Sequence, residues 1–132
     1  MRSGIGTACL MGLCLAATAW PASPGRAATE EDFLVKTTGN LIDLCSAPRE
    51  DPLYTAAVNF CEGFMVGAYR YHVASVQAEG GKPLVCPPNP PPSRDESVAR
   101  FIAWSRAHPE AMNTTPVEGL FEFLSQSFPC RG

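Results

Sequence analysis

The chain has 132 residues, with 13 acidic residues against 10 Lys plus Arg, 13 prolines, 11 glycines and 6 cysteines. That length holds one domain, and a net charge of −3 argues against a nucleic-acid binder, which needs a basic excess to meet phosphates. The only strongly apolar run lies at the N-terminus.

Arg2 followed by the almost uncharged run Ile5 to Ala19, the break at Trp20-Pro21 and the small residues Gly25 and Ala27 have the layout of a secretory signal peptide cut before Ala28. Ala17-Thr18-Ala19 is an alternative cut. The run is too short to span a bilayer comfortably, and Leu13 before Cys14 is unlike a lipidation site. Residues 1–27 are therefore expected to leave, and residues 28–132 to form the domain, with no membrane association afterwards. Arg2 and Arg26 go with the leader, so eight basic residues face thirteen acidic ones, a net of −5. Cys9 and Cys14 go too. The remaining Cys45, Cys61, Cys86 and Cys130, an even set in an exported chain, read as two disulfides.

Ala28 to Lys36 is an acidic lead-in, expected to be extended or loosely packed. Leu41, Ile42, Leu44 and Cys45 support a helix of two turns that Pro48 ends. The strongest segment follows: Asp51 can cap, Pro52 suits the first helical position, and Gly80-Gly81 closes the far end. Between them Leu53, Ala57, Phe60, Phe64, Gly67, Tyr71 and Ala74 recur at steps of three and four. Cys61, Met65, Val66 and Ala68 widen that stripe, so this helix is either central or part of a subunit contact. Gly63 and Gly67 lie on one side and are expected to let a neighbouring helix pack closely, since a helical glycine otherwise costs about 1 kcal/mol against alanine.

Pro83 to Pro92 holds six prolines in ten residues, which predicts a stiff, extended connector. Pro87, Pro88, Pro90, Pro91 and Pro92 make it a candidate partner-facing loop. Ser93 with Glu96 is a capping-box pattern that opens a helix through Val98, Phe101, Ile102 and Ser105, ending at His108-Pro109. Thr115-Pro116-Val117-Glu118 opens a last helix with Leu120, Phe121, Leu124 and Phe128 on its stripe. No alternating run of β-branched residues competes. The expected fold is all-α, a small bundle of about four helices with two disulfides.

Four cysteines allow three pairings. If the helices alternate in direction, Cys45 and Cys61 fall near one end and Cys86 and Cys130 near the other. That order favours Cys45–Cys61 and Cys86–Cys130.

Groups for catalysis are sparse. His72 lies about 16 Å along a helix from Cys61 at 1.5 Å per residue, too far for a nucleophile–base pair. His108 suits the carbonyl end of its helix. Glu30-Glu31-Asp32 and Glu50-Asp51 lack the spacing of a calcium loop and read as solvated surface. The mature cysteines contain no Cys-x-x-Cys redox or zinc pattern. Asn113-Thr114-Thr115 fits a glycosylation sequon. The sequence therefore points away from an enzyme, with no catalytic residue, metal site or cofactor expected.

Four elements in order carry a resemblance: Leu41-Ile42-Asp43-Leu44-Cys45; Phe60-Cys61-Glu62-Gly63-Phe64 with Gly67; Cys86-Pro87; and His108-Pro109-Glu110 followed by Phe128-Pro129-Cys130. From about Phe33 to Cys130 the chain resembles the Rap/Tai family of immunity proteins, which guard bacteria against peptidoglycan amidases delivered by type VI secretion. The resemblance implies a periplasmic, helical, disulfide-containing protein that forms a homodimer and blocks an amidase cleft. The four cysteines would then be structural, and Gly63 and Gly67 would serve packing. A small periplasmic acid-stress chaperone of the HdeA-like kind is the alternative, since an excess of carboxylates would neutralise on acidification.

Overall fold

The computed structural model describes residues 25–130. Most of the expected leader, including Cys9, Cys14 and the alternative cut after Ala19, lies outside those residues. Among the described residues the chain forms four α-helices, α1 (Thr38–Cys45), α2 (Tyr54–Glu79), α3 (Arg94–Ala107) and α4 (Pro116–Ser127). Two 3-10 helices, Glu30–Leu34 and Pro109–Asn113, complete the set, and no strand is present among them.

The shortest α-helix is the hub. Thr37 caps α1 by accepting the Asn40 N–H, and the Asn40 side chain accepts the Thr37 N–H in return. Thr38, Leu41, Leu44 and Cys45 are buried, and α1 packs against the other three helices and both 3-10 helices. Eight residues span only about 12 Å, against about 39 Å for the 26 residues of α2. The long helix therefore outruns its neighbour, and none of its buried residues lies beyond Met65.

The core face of α2 runs through Ala57, Cys61 and Met65 at steps of four. Of the expected stripe, Ala57 is in the core and Leu53, Phe60 and Phe64 pack against it half-buried, whereas Gly67 and Tyr71 face solvent, Tyr71 at 76% exposure. The start is shifted as well. Asp51 stabilises a turn, with its Oδ1 accepting the Leu53 N–H at 2.8 Å, and the helix begins at Tyr54. Gly80, with φ 64°, closes the helix in the left-handed region where glycine is unstrained.

One cluster of buried side chains joins Leu41, Cys45, Cys61, Met65, Phe101, Leu120, Phe123, Leu124 and Phe128. Val85 from the proline-rich connector belongs to it, so the connector is anchored in the core. A second cluster joins Ala28, Leu44, Ala47 and Ala57, with Phe33, Leu53, Tyr54 and Phe60 around it. Disulfides Cys45–Cys61 and Cys86–Cys130 hold the two ends, in the pairing that helix order favours.

The lead-in is not loose. Thr29 donates its N–H and its hydroxyl to Asp32 at 2.8 and 2.7 Å, which winds Glu30–Leu34 into a 3-10 helix. Asp32 is only 2% exposed, which corrects its reading as solvated surface. At the α3 start Ser93 accepts the Glu96 N–H, but the Glu96 carboxylate turns to Arg100. At α4 the Thr115 hydroxyl makes no bond to the helix backbone. Neither capping box closes fully. Instead α4 is fixed by its close approach to α1, where Thr38 donates to the Thr115 carbonyl at 2.9 Å beside the buried Gly119.

Candidate interaction surface

Among the described residues no other helix packs against Gly63 or Gly67, and a Cβ added at either would meet no atom within 4 Å. They instead form the floor of an open groove of about 760 Å³ along the outer face of α2. Phe64, Ala68, Tyr71, His72 and Ser75 continue that floor, Leu84 comes from the connector, and Val117, Glu118 and Phe121 from α4. Leu84 and Val117 are 62% and 51% exposed. Glu118 is the one charged side chain in this lining.

Large apolar side chains left in water around a groove with one charged side chain mark a candidate contact surface. The glycines matter here because they remove side chains from one helical strip, leaving a channel where another chain's helix can approach closely. His72 fixes the groove's edge. Its Nε2 accepts the Leu84 N–H at 3.2 Å, and its ring meets Phe121 edge-on at 5.1 Å. That contact holds Leu84 in place on the surface.

The opposite side of α2 carries a second feature. Pro87, Pro91 and Pro92 arch over a cleft of about 340 Å³ whose walls include Met65, Val66, Tyr69, Val98, Leu124 and Phe128. Pro88 and Pro90 are exposed beside it. The Cys86 N–H donates to the Phe128 carbonyl at 2.8 Å, so backbone bonding and the Cys86–Cys130 bond both tether the arch. Arg70 and Arg94 stand at its rim. Arg94 reaches Glu62 only at 3.9 Å, and Arg70 has no ion pair among the described residues. The proline loop and the glycine pair thus lie on two faces of α2 and form no single site.

His108 is occupied as expected for a helix end. Its Nδ1–H donates to the Trp104 carbonyl at 2.9 Å, and its ring stacks on Trp104 at 4.4 Å. The two histidines serve separate packing contacts. Among the described residues, no three His, Cys, Asp or Glu side chains gather as metal ligands, and no helix is long and apolar enough to cross a membrane.

Charge is organised at the N-terminal end. Burial by itself would raise the Asp32 carboxyl, but hydrogen bonds from the Thr29 hydroxyl and N–H, Asn40 and Arg26 outweigh it and hold the group below its ordinary value. The Arg26 guanidinium is held above its own ordinary value by its bonds to Asp43 and Asp32. Among the described residues no buried side-chain N or O lacks a partner.

The described residues form a small helical scaffold, stapled by two disulfides, that presents an open apolar groove and a proline-lined cleft. The family model described as Rap1a immunity proteins matches residues 37–130, which takes in α1 through Cys130. The chain belongs to the Rap1a immunity protein family. No curated protein and no solved structure matches it. Members act by binding, and the partner of an immunity protein is its cognate effector.

Tyr71, Leu84, Val117 and Phe121 are the surface residues that the sequence does not single out as a group. They come from three segments far apart in the chain. The available signal is α2 itself, whose apolar residues cover more of its circumference than one buried face can use.

Proposed function

We propose that this immunity protein is exported to the periplasm and there neutralises a peptidoglycan amidase delivered by type VI secretion, by covering its active-site cleft. The family match over residues 37–130 carries the reading. The N-terminal apolar run favours export, and so do two disulfides in a small domain, because such bonds persist in oxidising compartments. A net charge of −3, more negative once the leader's two arginines leave, suits capture of a basic partner by long-range attraction.

The groove on α2 is read as the seat of a second copy of this chain. A two-fold contact sets the same patch against itself, and a glycine-floored patch whose lining holds one charged side chain, Glu118, meets little like-charge repulsion there. Pairing through that face leaves the proline arch on the other side of α2 free for the effector. Stable occlusion would bury about 1,200 Å² or more against the amidase.

The test is to incubate the exported protein with a purified type VI peptidoglycan amidase from the same genome and follow release from cell-wall sacculi. Loss of cleavage with a stable complex on gel filtration upholds the proposal. Unchanged cleavage by every such amidase at tenfold excess of this protein overturns it.

A further inference from the structure

The first buried residue of the described chain holds a contact whose chemistry changes on removal of a leader. Ala28 is 8% exposed and packs with Leu44, Ala47 and Ala57. Its N–H donates to Asp51 Oδ2 at 2.6 Å, while Asp51 Oδ1 accepts the Leu53 N–H. Two residues earlier, exposed Arg26 bonds both Asp32 and Asp43. The step from Ala27 to Ala28 is therefore also a step in packing, from exposed Arg26 and Ala27 to buried Ala28.

We infer that a leader-removing peptidase cuts the Ala27–Ala28 bond and that the new α-ammonium of Ala28 docks on the Asp51 carboxylate, locking the mature N-terminus into the domain. The inference rests on the export reading above. In the cut, the C–N bond breaks and water supplies hydroxyl to the Ala27 carbonyl carbon and a proton to the Ala28 nitrogen. A second proton from solvent makes the ammonium. A charged group in a partly buried place is unfavourable unless paired, and Asp51 already stands at hydrogen-bond distance. The neutral N–H···carboxylate bond becomes a charge-assisted one.

Arg26 leaves as one cation, and the ammonium supplies one in its place, moved from an exposed guanidinium to a partly buried anchor. Asp32 keeps its bonds from Thr29 and Asn40 after Arg26 has gone. A cut after Ala19 would do neither: the mature chain would keep Arg26 on Asp32 and Asp43, and Ala28 would remain a neutral donor. The geometry thus distinguishes between the two cuts by what each does at Asp51.

The experiment begins with the full 132-residue chain expressed in a Gram-negative host and recovered from the periplasm. Intact mass should show a chain beginning at Ala28 with two disulfides. Acetylation by N-hydroxysuccinimidyl acetate at pH 7 should modify the Ala28 amine about tenfold more slowly in the native protein than in urea, as expected when pairing shifts an amine by about one pK unit. Asp51→Asn, which keeps an Oδ1 acceptor for Leu53, should bring the native rate within about twofold of the unfolded one. If that variant does not fold, NMR titration of the wild-type Ala28 amine decides. Titration above the free-amine range upholds the inference, and titration at or below it overturns it. An exported chain that begins elsewhere overturns this inference alone. A chain left uncut in the cytoplasm overturns the export reading with it.

Discussion

Alanine at Gly63 and Gly67 should stabilise the folded monomer, although both sit mid-helix beside bulky neighbours. Each glycine costs its helix about 0.8–1.0 kcal/mol relative to alanine, and an added Cβ meets no atom within 4 Å at either position. The double variant Gly63→Ala/Gly67→Ala should therefore gain about 1.5–2 kcal/mol, a rise in melting temperature on the order of 10 °C for a domain this size. Gly119→Ala is the internal control. A Cβ there would fall inside contact distance of the Thr38 side chain, which is fully buried and bonded to Thr114 and Thr115. Overpacking at such a site costs about 1–3 kcal/mol, so the same substitution should act with opposite sign in α2 and α4. Thermal melts by circular dichroism answer this, run dilute enough that any self-association is absent from the measured stability. Sedimentation velocity at higher concentration should show the double variant associating at least tenfold more weakly, because two methyl groups crowd the channel. A fall in dilute melting temperature for the α2 variant would refute the reasoning, since it would mean that the glycines pack within the chain.

Three further outcomes follow from the same structure. Removing Cys86–Cys130, with a sequence separation of 44, should lower stability by about 4 kcal/mol in the chain-entropy relation, read by urea unfolding. Removing Cys45–Cys61, with a separation of 16, should lower it by about 3 kcal/mol from entropy, with a cavity cost added because both sulfurs lie in the core. The Asp32 carboxyl titrates below its ordinary value, so it contributes stability at neutral pH that is lost as pH falls through the folded-state value. Asp32→Asn should therefore cost about 1–3 kcal/mol at pH 7 and converge with wild type in strong acid; parallel melts across the whole pH range would contradict that. Tyr71→Asp with Val117→Asp adds two negative charges to a groove that holds only Glu118 and should abolish self-association without moving the dilute melting temperature by more than about 3 °C, as checked by light scattering and circular dichroism.

Much of the fold is legible in the residues because local signals agree. Pro48, Gly80, the proline run and Ser93 mark ends and starts that side-chain and backbone chemistry enforces, and helix order is enough to favour one of three disulfide pairings. The core face of α2 is not legible in the same way. Ala57-Cys61-Met65 and Phe60-Phe64-Gly67-Tyr71 are both apolar at helical spacing, and only the short length and position of α1 decide which is buried. The lead-in was hidden for a related reason. Three adjacent carboxylates read as surface by composition, whereas Thr29 and Asn40 supply the donors that let one of them, Asp32, be buried. Such donors lie three and eight residues away, and the second becomes visible only once α1 has folded back. The groove depends on Leu84 and Val117 lining the same face of α2, a juxtaposition that no local pattern encodes.

The most direct measurement is a stoichiometric titration of a type VI peptidoglycan amidase from the same genome with the exported, disulfide-bonded protein. Cleavage of sacculi should fall linearly and vanish at one chain of this protein per amidase, with the pair eluting together. Full cleavage at a large excess, with the two proteins eluting apart, would contradict the account.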